Sequence, residues 1–123
     1  MPVERALSAY QKERLNCAQS VLRAFQPHRN IPEEDILKAK IHGGGRAEAG
    51  LCGALHAALQ LVDKPDVRQN VRDAFVASAG SDKCREIRRA ARIPCVECVR
   101  IAASLLVEHV DTPPAEANDT KEI

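Results

Sequence analysis

The sequence predicts an all-α fold, a compact bundle of five or six helices followed by a disordered C-terminal tail. Apolar residues make up 45% of the 123 residues but aromatic residues only 2%, so Leu, Ile, Val and nineteen Ala must form the core. Such a composition favours closely packed helices over sheets, which draw on aromatic and β-branched residues. Apolar residues also recur at helical spacing along most of the chain, with Pro or Gly at the joints.

Three helices are predicted in the N-terminal half. Residues 4–25 keep apolar side chains on one broad face and are predicted as one continuous helix. Pro32, followed by three acidic residues, is typical of a helix start, and the glycines at 43–45 end this second, short helix. We interpret these glycines as a tight connection, because the Lys-Ser/Thr pair of a phosphate-binding loop is missing. A third helix is predicted over residues 47–62.

Three further helices complete the predicted bundle. Residues 65–79 form the fourth, which Gly80 ends in the usual C-terminal manner. A short, Arg-rich helix follows from Ser81 or Asp82 to about residue 92, and Ile93-Pro94 breaks it. The last helix is predicted over residues 95–110. Residues 1–111 therefore form one domain, and residues 112–123 a polar, flexible tail.

Charge and composition exclude several classes of function. Eighteen Lys and Arg against seventeen Asp and Glu leave a net charge of +1, which gives no general attraction to nucleic acid or to an anionic membrane. Three aromatic residues are too few for base stacking on single strands. No apolar run approaches the roughly 20 residues of a membrane span, and the charged N-terminus is unlike a secretory signal. We expect a cytoplasmic protein.

The five cysteines are the unusual feature, because such enrichment in a reducing compartment points to metal, redox or catalytic chemistry. The predicted helices place Cys17 and Cys52 in mid-helix among apolar neighbours, where their thiols should resist ionisation. Cys84 and Cys95 fall in first turns, where unpaired backbone N–H groups favour a thiolate. Cys95 and Cys98 form a CxxC pair, whose spacing suits a redox dithiol or two ligands of one metal.

Two other groups of side chains are candidates for function. His56 lies four residues after Cys52 on one helical face, so it could act as a base or ligand, although packing against a neighbour is the commoner role. An arginine stripe on the fifth helix is interpreted as a solvated face, or as a surface that holds an acidic partner or keeps thiols ionised. Its members are Arg85, Arg88, Arg89 and Arg92.

Several motifs, taken in order, resemble the C_GCAxxG_C_C family of redox-active proteins, a small helical family that is related to a segment of split-Soret cytochromes. The matching residues are Asn16-Cys17-Ala18-Gln19-Ser20-Val21-Leu22, Gly43-Gly44-Gly45, Cys52-Gly53-Ala54, Cys84-Arg85-Glu86, and Cys95 with Val99. The resemblance implies that the family's four cysteines are Cys17, Cys52, Cys84 and Cys95. Ala57 replaces the last glycine of CGAxxG, and Cys98 is additional to the four.

Three functions remain open on the sequence alone. In the first, the five cysteines carry out thiol–disulfide or electron-transfer chemistry, which would make the protein a thiol-based oxidoreductase with an unidentified redox partner protein. In the second, Cys17, Cys52, Cys84 and Cys95 bind an iron–sulfur cluster or zinc, with Cys98 or His56 as further ligands. In the third, the protein is a non-catalytic helical interaction module. A homo-oligomer is compatible with all three functions.

Overall fold

The structure, a computed structural model, describes residues 2–42 and 50–109 and is built from α-helices. Within these residues the one β feature is an isolated bridge between Leu51 and Lys83. The all-α prediction is therefore confirmed. The elements are α1 (Pro2–Gln11), α2 (Cys17–Arg29), α3 (Glu33–Lys38), a 3-10 turn (Ala39–His42), α4 (Gly53–Gln60), α5 (Pro65–Ala79), α6 (Cys84–Glu86), a π-helical turn (Ile87–Ala91) and α7 (Cys95–His109).

The continuous helix predicted over residues 4–25 is wrong, because the chain breaks between α1 and α2. Arg14 adopts a left-handed conformation with φ of 60°, and the amide of Leu15 donates back to the carbonyl of Ala9 over 3.2 Å. A left-handed residue is a common helix terminator. Asn16 then starts α2, so that the described residues form seven α-helices instead of the five or six predicted.

The helix predicted over residues 47–62 is also wrong at its start. Gly50 is left-handed with φ of 75°, Leu51 lies in the β-bridge, and α4 begins only at Gly53. The glycines at 43–45 and the beginning of that predicted helix lie outside the described residues. So do residue 110 and the tail predicted for residues 112–123.

The joints of the C-terminal half agree with the sequence. Gly80 is left-handed with φ of 91° at the end of α5, as its position predicts. The Arg-rich segment is the exception at its start: Lys83 is the N-cap instead of Ser81 or Asp82, and α6 begins at Cys84. It continues as a π-helical turn, which Arg92 ends with φ of 56°. Pro94 precedes α7, which begins at Cys95 as predicted.

Helix α7 occupies the centre of the bundle, where it packs against α1, α2, α4 and α5. The core around it is aliphatic, and Leu55, Phe75 and Leu106 are among its largest fully buried side chains. No helix among the described residues has the length and apolar character needed to cross a bilayer. The N-terminal end of α7 carries Cys95 close to Tyr10 of α1 and Cys17 of α2.

Candidate functional site

Each of the four family-type cysteines lies at the start of a helix. Cys17, Cys84 and Cys95 are the first residues of α2, α6 and α7, and Cys52 is the N-cap of α4. The mid-helix positions predicted for Cys17 and Cys52 are therefore wrong, whereas the first-turn positions of Cys84 and Cys95 are confirmed. Cys98 lies one turn further along α7, and all five cysteines are free thiols.

A capping box fixes the position of Cys17. The Asn16 side chain accepts from the Gln19 amide at 2.7 Å, and the Gln19 side chain accepts from the Asn16 amide at 3.1 Å. The Asn16 side-chain amide also donates to the carbonyls of Ala39 at 3.3 Å and Lys40 at 2.9 Å. The Gln19 side chain donates to the carbonyl of Ile36 at 3.0 Å. These bonds join the start of α2 to the end of α3 and its 3-10 extension.

The glycine of the Cys52-Gly53-Ala54 motif allows α4 to touch Cys17. A Cβ at Gly53 would lie 2.6 Å from Cys17 Sγ and 2.8 Å from the His42 carbonyl oxygen. Both distances are shorter than real Cβ contacts, so only glycine fits here without displacement. The absence of a side chain at Gly53 therefore brings the first turn of α4 against the sulfur of α2.

Backbone contacts also hold the starts of α4 and α6 together. The Cys52 amide donates to the Asp82 carbonyl at 2.9 Å, and the bridge between Leu51 and Lys83 lies directly beside this bond. Cys52 and Cys84 follow the two partners of the bridge in sequence. Because the bridge is antiparallel, Cys52 lies opposite Asp82, and the bridge joins the segment before α4 to the segment before α6.

The electrostatics of the thiols show that the cysteines lie close together. Burial, followed by the charges of Cys52 and Cys95, raises the pKa of Cys17 to about 12, and Cys84 adds a smaller increase. A side-chain hydrogen bond with Cys98, then burial, raises the pKa of Cys52 well above its ordinary range. Burial and like charges both disfavour a thiolate. The Cys17 thiol is therefore close enough to Cys52, Cys95 and Cys84 for their charges to act on it, and the Cys52 side chain is hydrogen-bonded with Cys98.

Tyr10 also belongs to this cluster, a position that was not predicted from the sequence. Burial, the charge of Cys95 and a hydrogen bond with the Cys95 side chain raise the pKa of Tyr10, and the charge of Arg88 partly opposes them. Its phenol therefore lies near the Cys95 sulfur, and the Arg88 guanidinium lies near the phenol. The sequence did offer one signal for this residue: the chain has a single tyrosine, and it lies on the inward face of α1.

Exposure distinguishes one thiol from the other four. Cys17, Cys52, Cys84 and Cys98 are buried, whereas Cys95 is partly exposed. Three surface cavities lie elsewhere on the molecule, and no cysteine lines them. A reagent in solution therefore reaches the cluster most directly at Cys95.

The histidine predicted as a possible base or ligand has another neighbour. His56 is half-buried, and its ring meets that of His42 edge-on, with the centroids 4.6 Å apart. The sequence analysis had assigned no role to His42. Over residues 2–42 and 50–109, no three side chains of His, Cys, Asp or Glu are arranged to hold a metal ion. Thiolates are chemically suitable ligands of zinc and of iron–sulfur clusters.

Comparison with known families gives one match. The model of the family described as "Putative redox-active protein (C_GCAxxG_C_C)" matches residues 15–109. The chain belongs to this family. The matched range contains all five cysteines and the capping box of α2, whereas Tyr10 lies before it. In this member of the C_GCAxxG_C_C family, Ala57 replaces the motif's last glycine, and its methyl group is fully buried within the bundle. The chain matches no curated protein and no solved structure.

Proposed function

We propose that this protein is a thiol–disulfide redox protein in which Cys95 is the attacking thiol and Cys98 the resolving thiol. The observation that supports this assignment is the exposure of Cys95 alone among five clustered thiols. Cys95 is also the first residue of α7, where backbone N–H groups and the helix dipole stabilise a thiolate.

The proposed reaction transfers two electrons. The Cys95 thiolate attacks one sulfur of a substrate disulfide, forms a mixed disulfide and releases the first substrate thiolate. Cys98, after loss of its proton to solvent, attacks the Cys95 sulfur and releases the second substrate thiolate. The protein then contains a Cys95–Cys98 disulfide, and the substrate disulfide has become two thiols. The reverse reaction regenerates the protein dithiol from any sufficiently reducing thiol pair.

Two features support Cys98 as the resolving thiol. It lies three residues after Cys95, a separation that brings two side chains together on one helix face. It is also buried, which protects the Cys98 thiol from direct reaction with the substrate disulfide while the mixed disulfide is present at Cys95. Cys17 is the competing candidate, because its thiol also lies near Cys95, but its pKa of about 12 keeps it protonated at neutral pH.

An aromatic disulfide that releases a coloured thiolate tests the proposal. The fully reduced, metal-free wild type should release two coloured thiolates in quick succession and end with one internal disulfide. Cys98→Ser should release one and retain a stable mixed disulfide at Cys95, which peptide mass mapping would locate. Cys95→Ser should lose the fast phase.

Three controls complete this experiment. Cys84→Ser alters a buried family-type cysteine that has no part in the proposed exchange, so it should keep the wild-type stoichiometry and rate. A mixed disulfide that accumulates in Cys17→Ser and not in Cys98→Ser would move the resolving role to Cys17. A Cys95→Ser variant that reacts as fast as the wild type would contradict the proposal. Elemental analysis and a visible spectrum of anaerobically purified protein would report any zinc or iron–sulfur cluster.

A further inference from the structure

Four exposed arginines precede the partly exposed cysteine. Helix α6, the π-helical turn and its C-cap carry them within eight residues, and we call them the arginine cluster. Its members are Arg85, Arg88, Arg89 and Arg92. Residues 83–100 hold six basic and two acidic side chains, a net charge of +4, whereas the whole chain has +1. The positive charge of the protein is therefore concentrated beside Cys95.

The cluster has no carboxylate partner among the described residues. Arginines elsewhere form ion pairs, as Arg23 does with Glu33 at 2.6 Å, but no cluster arginine does. The nearest acid in sequence, Glu86, instead accepts a hydrogen bond from Ser81 at 2.6 Å. Four uncompensated guanidinium groups repel one another, so an arrangement of this kind gains free energy when an anion approaches.

The connection between the arginine cluster and Cys95 is short and tightly folded. Arg92 is left-handed with φ of 56°, and the next amide, that of Ile93, donates back to the Ile87 carbonyl at 3.4 Å. The connection to Cys95 therefore folds back over the turn that carries the arginines. The charge of Arg88 also reaches Tyr10, whose phenol is hydrogen-bonded with Cys95. π-helical turns inside helical segments frequently occur at functional sites.

We propose that the arginine cluster is the docking surface for an acidic, disulfide-bearing polypeptide segment, which it places against Cys95. This inference rests on the proposed thiol–disulfide function and adds the chemistry of the substrate. Guanidinium groups bind carboxylates in a planar, bidentate geometry, so Asp and Glu side chains near the substrate disulfide would satisfy them. A basic substrate would meet like charges at the same surface and be rejected.

Two pairs of synthetic peptides test docking separately from exchange. In the first pair, an acidic and a basic peptide of equal length each carry an iodoacetyl group, which alkylates Cys95 without disulfide exchange. In the second pair, the same peptides carry a mixed aromatic disulfide. At low ionic strength the wild type should react about tenfold faster with the acidic member of each pair, and the preference should fall as salt is added.

The variant Arg85→Gln/Arg89→Gln leaves Arg88, which lies near Tyr10, in place; it should lose most of this preference while its reaction with neutral iodoacetamide stays unchanged. Arg29→Gln/Lys64→Gln is the matched control, because it removes two positive charges beside the cavity shared with His109 at the other end of α7. A 15-residue helix separates that end from Cys95 by about 22 Å, so this variant should keep the preference.

The outcomes distinguish this inference from the proposed function. Exchange with equal rates for both peptides overturns the docking surface and leaves the thiol–disulfide function standing. A charge preference in alkylation without any exchange supports the surface and overturns the function. A control variant that loses as much preference as Arg85→Gln/Arg89→Gln overturns the assignment to the cluster. Stronger protection of Cys95 by single-stranded DNA than by an unreactive acidic peptide of equal charge would overturn the choice of partner.

Discussion

The contact between Gly53 and Cys17 gives the sharpest test of how the site is assembled. Gly53→Ala adds a methyl group 2.6 Å from Cys17 Sγ and 2.8 Å from the His42 carbonyl, where ordinary contacts measure 3.4–4 Å. The carbonyl belongs to the backbone, and the sulfur is held by the capped start of α2. Neither can withdraw easily, so α4 must shift.

The expected cost follows from two opposing effects. Overpacking of a well-filled interior costs about 1–3 kcal/mol, whereas alanine is favoured over glycine in a helix interior by at most about 1 kcal/mol. The second effect is smaller at the first position of a helix, so we expect a net loss of about 2 kcal/mol. For a domain of this size, that loss lowers the melting temperature by about 8 °C.

A double-mutant cycle measured by urea unfolding attributes this cost to the sulfur. In a Cys17→Ala background the sulfur contact is absent and only the carbonyl contact remains, so Gly53→Ala should cost about 1 kcal/mol less. Gly50→Ala is the control: its φ of 75° makes alanine unfavourable, but its Cβ would meet only Lys83, at 3.9 Å. Its cost should be the same in both backgrounds. The contact would be refuted if Gly53→Ala were as stable as the wild type, or if the losses of unfolding free energy in Gly53→Ala and Cys17→Ala simply added in the double variant.

Three further predictions concern the residues around Cys17 and Cys95. The pKa of Cys17 rises from 9.0 to about 12 on folding, so the unfolded state loses this proton at a lower pH than the folded state does. The free energy of unfolding should therefore fall between these pH values by up to about 1.4 kcal/mol per pH unit. Urea denaturation across this range should show a weaker fall for Cys17→Ala. Asn16→Ala removes the capping box and two hydrogen bonds to the 3-10 turn, and should lower the unfolding free energy by about 2 kcal/mol. The control Asn70→Ala, on the exposed face of α5, should change the unfolding free energy little. Equal losses for the two variants would contradict the role of the cap. Tyr10→Phe removes a hydrogen bond to Cys95 and should slow iodoacetamide alkylation of that thiol about three- to tenfold at pH 7 with the fold unchanged; an unchanged rate would exclude the phenol from the site.

The fold class and most joints of the bundle could be predicted from the sequence, because they depend on local chemistry. Gly80 and Pro94 mark their helix boundaries by backbone geometry that any context preserves. The break between α1 and α2 was missed because the apolar periodicity continues across it. Arg14, on the apolar face, and the capping-box pair Asn16 and Gln19 were the local signals of that break.

The arrangement of the site could be predicted only in part. The resemblance named the four cysteines, but the contacts that bring them together depend on the lack of a side chain at Gly53 and on backbone hydrogen bonds. No periodicity reports that Gly53 lies against Cys17, or that the Cys52 amide bonds the Asp82 carbonyl. Tyr10 was missed for the same reason, since its distance from Cys95 in sequence is 85 residues.

The comparison of Cys17 with Cys95 shows which effect decides the state of a thiol here. Both are the first residues of helices, so the helix dipole alone would favour a thiolate at each. At Cys17 the backbone amide of Ala18 does lower the pKa, but burial and the neighbouring thiols raise it more. At Cys17, loss of solvation therefore outweighs the helix start. Cys84 shares the helix start but is also buried, which leaves Cys95 as the one thiol that combines a helix N-terminus with access to solvent. A substrate disulfide that enters this cluster should therefore make its first bond to Cys95.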